Sequence, residues 1–408
     1  MAGKAKRDMT IEQKLAHGPI DLPFLALVML LTAVGLIMLL SASFASAMYN
    51  LDPDVDTGGD PMYYFNRQFG FAVVGVIAMF IITKIDYQHF RWMSIFVLAG
   101  AVVLMLLVFT PLGRAGGGAL RWVKIGPIRF QPSEIAKIGV IMFFAARLSK
   151  RNTQIGPPKK WNRRILLGRI LEKLDNIGFL ELIPYGIALV VVLGVIALQQ
   201  HMSAMILVIV GAASVLFAAG ISLGWFAAGG VIVGAALAFI ITQTDYMTKR
   251  IEIWQNPLTD LQKGGFQPWQ SRIAIGSGGL LGRGLGNSVQ KYLFLPEEHN
   301  DYIFAIVCEE LGMIGAIVIM ALFALLIIRG FWLAIHARDR FGTLLIVGII
   351  TLTGMQVFFN IGVVTGFLPP TGISLPFFSY GGTALMIQLA EMGMVLSVSR
   401  QIAAPKAE

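Results

Sequence analysis

The sequence predicts an all-α polytopic membrane protein of about ten transmembrane helices, with one large extracytoplasmic loop between the seventh and eighth. Three observations carry this expectation. Apolar residues fill 56% of the 408 positions and charged residues 13%, which leaves too little polar surface to coat a water-soluble globule of this length. Apolar runs of about 20 residues, the length that crosses hydrocarbon as helix, recur along the whole chain. Lys and Arg gather in alternate connections between them, as the positive-inside rule requires.

The runs fall at 22–47, 68–83, 93–111, 135–148, 179–198, 202–219, 224–242, 302–328, 343–364 and 380–398. The first is too long for the apolar region of a cleavable signal peptide, and no small-residue cleavage pattern leads from it into a soluble domain. An even number of spans places both termini on one side. That side carries 20 of the 32 basic residues, nine of them in the 147–173 loop, and is therefore expected to be cytoplasmic. The organisation that follows is a cytoplasmic tail at 1–21, a ten-helix membrane domain at 22–398 and a cytoplasmic tail at 399–408. Most connections are short, so no separable soluble domain is expected.

Two connections are long. The cytoplasmic loop 149–178 ends in a basic amphipathic stretch, read either as an interfacial helix or as a plain topology signal. The outer loop 243–301 far exceeds the ~12–15 residues beyond which loops are usually functional or disordered. Trp254, Phe266, Trp269, Tyr292 and Phe294 are spread through it and argue against disorder. The net charge of +9 suits topology and anionic lipid headgroups, and no nucleic-acid partner is expected. It leaves unexplained the outer cations of Arg114–Arg129 and of 249–291, which suit an anionic ligand. Cys308 is the single cysteine, so neither a disulfide framework nor a thiolate metal cluster is expected.

The segment Leu293–Gly312, LFLPEEHNDYIFAIVCEELG, runs acids and a histidine straight into an apolar helix. An ionisable group at the edge of hydrocarbon costs roughly 2.5–3.5 kcal/mol on insertion scales, so it marks function unless something offsets it. Asp301 is that group. From spacing alone, Asn300 or Asp301 is a good cap for a helix starting near Tyr302, and the alternative is a catalytic carboxylate. Glu309 and Glu310 lie about two turns deeper, and at least one should face the bundle interior. Zinc is not expected, because His299 and Asp301 have no further His or Cys at ligand spacing. A hard divalent cation, Mg²⁺ or Mn²⁺, on Glu134 or Asp301 with phosphate stays open.

In Gly113–Ala145, Pro132 suits the first turn of a helix, which puts Ser133 and Glu134 at its positive N-terminal end. Glu134 and Lys137, three apart, share a face and are able to pair, either as a self-neutralising structural pair or as part of a site with Arg121 and Lys124. The glycine-dense run Ala274–Gly286 lacks the endings of nucleotide-binding loops and reads as a tight turn beside a ligand channel. Thr365–Leu385, rich in Pro, Gly and aromatics, reads as a re-entrant outer loop whose polar atoms must face a cavity instead of lipid.

Taken together, ALRW (Ala119–Trp122), QPSEIAK (Gln131–Lys137), QSRIAIGSGGLLGRGLG (Gln270–Gly286), LPEEHNDYIFAIVCEELG (Leu295–Gly312) and TGFLPPTGISLPFFSYGG (Thr365–Gly382) resemble the SEDS family of cell-wall polymerases. The similarity covers essentially the whole chain, and QPSEIAK and LPEEHND are nearest the FtsW and SpoVE branches. It departs at QQHMSAM (Gln199–Met205), where PHLSGT is common, and at LSVSRQ, where an Asn is common.

The resemblance implies a peptidoglycan glycosyltransferase of the bacterial cytoplasmic membrane, acting in division or sporulation. It would polymerise lipid II and work with a class B penicillin-binding protein and other division or sporulation membrane proteins. The family's essential Asp falls on Asp301, the expected general base. Arg121, Lys137, Glu134, Arg272 and Ser277 are then expected at the pyrophosphate, and Gln131, Ser133, His299, Glu309 and Ser379 along the cavity. A paired-carboxylate glycosidase fits less well, because no second carboxylate is marked at the required separation. The competing classes are a flippase for the lipid-linked precursor and a non-catalytic scaffold.

Overall fold

The computed structural model describes residues 18–402, apart from 51–54, 117–118, 127, 151–178, 244, 262–263 and 293. The outermost parts of both tails and nearly all of the 149–178 loop, with its expected interfacial helix, lie outside the described residues. In chain order the helices are α1 (Leu22–Met48), α2 (Tyr63–Lys84), α3 (Gln88–Leu106), α4 (Pro132–Leu148), α5 (Phe179–Leu198), α6 (Met202–Ala218), α7 (Leu223–Gln243), α8 (Asp245–Gln255), α9 (Phe266–Gly278), α10 (Ile303–Ile335), α11 (Arg340–Val364) and α12 (Thr383–Ser399). Each expected apolar run is a helix, and α8 and α9 lie between the seventh and eighth runs. Five helices (α1, α2, α3 with its short extension to Phe109, α10 and α11) are long and apolar enough to cross a membrane by length and composition, and α6 and α12 are shorter apolar helices. The protein is a polytopic, predominantly α-helical membrane protein.

Local chemistry explains the helix starts. Asp21 accepts a hydrogen bond from the Phe24 N–H at 2.9 Å and caps α1, with Pro23 in the first turn, where its missing N–H costs nothing. Pro132 opens α4 in the same way, after Gln131 in extended backbone. Side chains such as Ile77, Trp92, Phe96, Val190 and Ile328 are exposed, a pattern that in a spanning helix marks the lipid-facing side. Helix α12 packs along α2, α3 along α4, and α10 against both α11 and α1.

The all-α architecture carries one small sheet in a connection. Gly113–Phe130 folds as a three-stranded antiparallel sheet, β1 (Gly113–Gly116), β2 (Ala119–Ile125) and β3 (Ile128–Phe130), in the order β1-β2-β3. Val123 pairs with Gly113 on one side and Phe130 on the other and is fully buried. Arg121 and Val123 share one face of β2, and Trp122 and Lys124 the other.

The bundle has two polar ends. At one, Arg329 pairs with Asp21 at 2.5 Å, Arg400 Nε donates to the Gly18 carbonyl at 2.9 Å, Gln401 donates to Asp86 and Tyr87 donates to Asp339 at 2.7 Å. The two described ends of the chain therefore meet. At the opposite end lie the sheet, α8, α9, Asp301 and the 365–382 loop.

That loop is re-entrant, as its composition suggests. Ile373, Leu375, Phe377 and Phe378 are buried, and the Phe377 carbonyl lies against Gly35, halfway along α1, where any Cβ would collide with it. The glycine-dense run makes another close backbone approach. Helix α10 is broken at Gly312 (φ 69°, ψ −173°). At the break, Arg283 and Gly284 donate to the Glu309 and Glu310 carbonyls at 3.0 Å, and Met313 donates to the Gly279 carbonyl at 2.9 Å. Gly282 and Gly312 face each other with no room for a side chain on either. The glycines serve backbone-to-backbone docking.

Candidate functional site

Asp301 sits in the turn before α10. The helix starts at Ile303 and its cap position is Tyr302, with no side-chain cap bond, so the structure does not use Asp301 as a helix cap. Its backbone carbonyl accepts from Asn360 Nδ2 at 2.7 Å, which ties the turn to α11. Among the described residues its carboxylate takes no hydrogen bond or ion pair. Gly372 of the re-entrant loop faces it, and a methyl group there would stand 3.2 Å from Oδ2. Burial and the neighbouring Glu297 push the Asp301 carboxyl up to about 6, against the opposing pull of Arg121, Arg250 and His299.

The cations around Asp301 are held by backbone carbonyls. Arg121, on β2, donates from Nη2 to the Gln200 carbonyl at 2.9 Å. Arg250, on α8, donates from Nη1 to the Pro370 carbonyl at 2.8 Å. Gln200, Glu297 and Phe377 all have positive φ (53°, 56° and 65°), an uncommon state for non-glycine residues that clusters at functional sites. In the sequence Arg250 is one cation among several in the 249–291 stretch, and no spacing singles it out. Only the fold of α8 against the 365–372 segment brings it to Asp301.

Lys137 belongs to a neighbouring pocket. Its ammonium meets Glu134 Oε2 at 2.7 Å, with the lysine 2% and the glutamate 20% exposed. Both line a small pocket, partly open to solvent, walled by Ser374–Phe377, Ser379–Gly381, Gln356, Gln388 and Glu391. Ser379 forms its wall towards Asp301, since its hydroxyl donates to the Asn300 carbonyl and accepts from the Leu375 N–H, each at 2.7 Å. Glu391, midway along α12 and 5% exposed, escaped the sequence reading because a single Glu among apolar residues has no spacing partner in sequence.

Gln131 and Ser133 do not line this pocket. Gln131 Nε2 and Ser133 Oγ each lie 3.3 Å from His201 Nδ1. Burial, with Arg121 and Lys137 nearby, pushes His201 down to about 3, so the ring is neutral at physiological pH. His201 thus feels the charge of both Arg121 and Lys137. His299 is buried against the rings of Tyr64 (4.5 Å) and Tyr380 (5.9 Å), 3.6 Å from Glu298. Arg272 lies against Gly366 and reaches the Trp254 carbonyl at 3.5 Å.

Two expected site residues are placed elsewhere. Glu309 is fully buried and accepts from Ser288 Oγ (2.5 Å), the Val289 N–H (3.0 Å), the Gln290 N–H (3.3 Å) and Ser277 Oγ (3.3 Å). Glu310 beside it accepts from Ser41 at 2.7 Å and pairs with Lys291 at 3.0 Å. These carboxylates tie the 277–291 segment to α10 and α1. The Ser277 hydroxyl has its acceptors within the fold, the Ala274 carbonyl at 3.0 Å and Glu309 at 3.3 Å, and Glu309 serves as a structural anchor instead of a cavity wall. No group of three or more His, Cys, Asp or Glu able to hold a metal occurs among the described residues.

Comparison with known proteins follows this geometry. The chain is 39% identical to a probable peptidoglycan glycosyltransferase FtsW from Geobacter metallireducens, over 94% of this chain and 95% of that one. It is 37% identical to the stage V sporulation protein E of Bacillus subtilis, over 93% and 97%. Its fold is similar to that of the rod shape determining protein RodA of Thermus thermophilus, with TM-score 0.63 and 25% identity over 95% of this chain and 98% of that one. It is also similar to a chain from a structure described as structural coordination of polymerization and crosslinking by a peptidoglycan synthase complex, with TM-score 0.71 and 24% identity over 95% and 99%. Residues 21–404 match the cell cycle protein family of FtsW, RodA and SpoVE. With an unpartnered acid set among fixed arginines at one end of a ten-run helical bundle, and with relatives matched along almost their entire length, the chain belongs to the FtsW/RodA/SpoVE family of cell cycle proteins.

Proposed function

We propose that the protein is a peptidoglycan glycosyltransferase that polymerises lipid II at the outer face of the bacterial cytoplasmic membrane, releasing undecaprenyl pyrophosphate. The observation that carries this reading is the Asp301 carboxyl: without a hydrogen bond or ion pair among the described residues, raised to about 6 and flanked by arginines whose other contacts hold them still. A general base works best with its pKa near the working pH. Asp301 takes the proton from the acceptor sugar hydroxyl as that oxygen attacks the anomeric carbon. The bond from that carbon to the pyrophosphate oxygen then breaks, and Arg121 and Arg250 meet the leaving charge. Lys137 holds a second position for the pyrophosphate. Fixed cations aimed at developing charge are typically worth ~10²–10³ in rate each.

Were a divalent cation, Mg²⁺ or Mn²⁺, to take part, Asp301 or Glu134 would be the protein group to hold it, and it would supply positive charge to the leaving group. Glu134 is already spent on Lys137, which leaves the phosphates to supply most ligands. The names of the relatives support the activity. The synthase complex among the similar folds agrees with a class B penicillin-binding protein as partner. Both termini are assigned to the cytoplasm and Asp301 to the outside, on the Lys and Arg distribution.

The test is purified protein supplied with lipid II, with and without a cognate class B penicillin-binding protein, and the products resolved by length. Long glycan strands are expected. Absence of polymer under both conditions, from protein that binds lipid II, would overturn the reading. One observation favours a flippase instead, namely Glu391 set deep along α12. Movement of labelled lipid II across liposomes without polymerisation would decide for it.

A further inference from the structure

Glu391 is the one carboxyl of the Lys137 pocket that the proposed reaction leaves unused, and its setting is unusual. It stands at the ninth position of α12, ~12 Å down the helix from Thr383 at 1.5 Å per residue, and is 5% exposed. Among the described residues it makes no hydrogen bond and no ion pair. Lys137 and Glu134 both act electrostatically on it, and all three line the same pocket. A carboxyl left in such a place without a partner is costly.

Lys137 has the complementary excess. Its ammonium carries three N–H donors, of which one goes to Glu134 and none to any other described residue. The lysine is buried and cannot complete its hydrogen bonds in bulk water. Gln356 and Gln388 stand around the same space. Gln388 accepts from the Phe377 N–H at 3.0 Å, which leaves its amide N–H₂ group directed to no described residue. One ammonium thus shares its pocket with two acids, Glu134, which it meets at 2.7 Å, and the more deeply buried Glu391.

We infer that Glu391 is a positioning residue for Lys137: it shares the ammonium with Glu134 and holds it in the pocket when Glu134 gives it up to a phosphate oxygen of the substrate. Breaking the Lys137–Glu134 pair in a pocket with no second acid would strand an ammonium in a low-dielectric site, and the cost of that step would be subtracted from substrate binding. With Glu391 in the same pocket, the ammonium keeps a counter-charge throughout the exchange. Glu391 itself touches no substrate. The inference rests on the reading that Lys137 meets the pyrophosphate.

The experiment is a double-mutant cycle on the full chain in detergent or nanodiscs, using Glu391→Gln, Lys137→Met and the pair, with undecaprenyl pyrophosphate as the probe. Glu391→Gln keeps the side-chain shape, and an unchanged apparent melting temperature shows that each variant is folded. Where Glu391→Gln lowers that temperature, Glu391→Met takes its place. In the parent background Glu391→Gln is expected to weaken undecaprenyl pyrophosphate binding about three- to tenfold, and in the Lys137→Met background to change it by less than about twofold, as coupled neighbours do. In turnover with lipid II the same variant is expected to raise KM more than it lowers kcat. An equal effect in both backgrounds, or none in either, overturns this inference alone. Unchanged affinity in Lys137→Met overturns the pyrophosphate reading and the inference with it.

Discussion

Replacing Asp301 with Asn is the sharpest single-residue test, because the cap position of α10 belongs to Tyr302 and the substitution disturbs no helix start. Loss of a general base typically costs ~10²–10⁴ in rate. Glycan polymerisation should therefore fall by about that factor, measured with purified protein and lipid II, while lipid II binding persists. A folded Asp301→Asn protein that still makes long strands would remove Asp301 from the chemistry. The pH profile follows from the raised carboxyl. Only the deprotonated form accepts a proton, so kcat/KM should drop as pH falls through about 6. Stability has the opposite sign. Because the folded state binds this proton more tightly than the unfolded one, the folded protein loses stability as pH rises from about 3.8 to about 6. Above that range Asp301→Asn should melt no lower than the parent, and higher by the equivalent of ~1–2 kcal/mol after allowing for solvent screening.

Glu309, placed along the cavity by the sequence, is expected to behave differently. Glu309→Ala leaves Ser288 Oγ and the Val289 and Gln290 N–H groups without their acceptor. At ~1–3 kcal/mol for each stranded buried donor, it should sharply lower the apparent melting temperature, whereas Asp301→Asn should not. A stable but inactive Glu309→Ala protein would contradict the assignment of Glu309 as an anchor.

Among the elements, the re-entrant loop connects the rest. Its Gly372 faces Asp301, its Pro370 carbonyl holds Arg250, its Thr371 carbonyl accepts from Ser203 of α6, and its Ser379 bridges Leu375 and Asn300. The seat for all of this is Gly35, which lets the Phe377 carbonyl reach the middle of α1. Gly35→Val is therefore expected to displace the loop. Activity should fall by at least tenfold, and the melting temperature should drop by more than a Val placed at an open glycine such as Gly100 causes. Equal effects at Gly35 and Gly100 would show that the seat is not needed. Asn360 supports the same loop from α11, donating to the carbonyls of Asp301 and Ile373 at 2.7 and 2.8 Å.

For the whole molecule, the two polar ends of the bundle make a topological prediction. With Cys308 replaced and a thiol placed at position 283, where the native Arg283 is 41% exposed, a membrane-impermeant reagent should label from the outer side. A thiol at position 338, between α10 and α11, should be labelled only from the cytoplasm. The reverse pattern would invert the molecule and place Asp301 on the side away from the glycan strands.

Much of this architecture is legible in the chain, because a bilayer restricts what a long apolar run is able to be. The ten runs, the Pro132 start of α4, the Glu134–Lys137 pair and the prominence of Asp301 all follow from local spacing, hydrocarbon thickness and the cost of charge at the membrane edge. Short-range physics acts within a few residues of the chain, and the sequence displays it directly. The β-sheet of Gly113–Phe130 was hidden, since its short strands carry few residues of alternation among glycines. Tertiary structure alone decided which polar groups meet. Arg250 comes into the surroundings of Asp301 from about fifty positions away in sequence, Glu391 of α12 lines the pocket of Lys137, and Glu309 gathers donors from the 277–291 segment. Those pairings depend on how helices pack and where a loop re-enters the bundle, and no residue spacing along the chain encodes which of several available cations a given carboxylate will finally face.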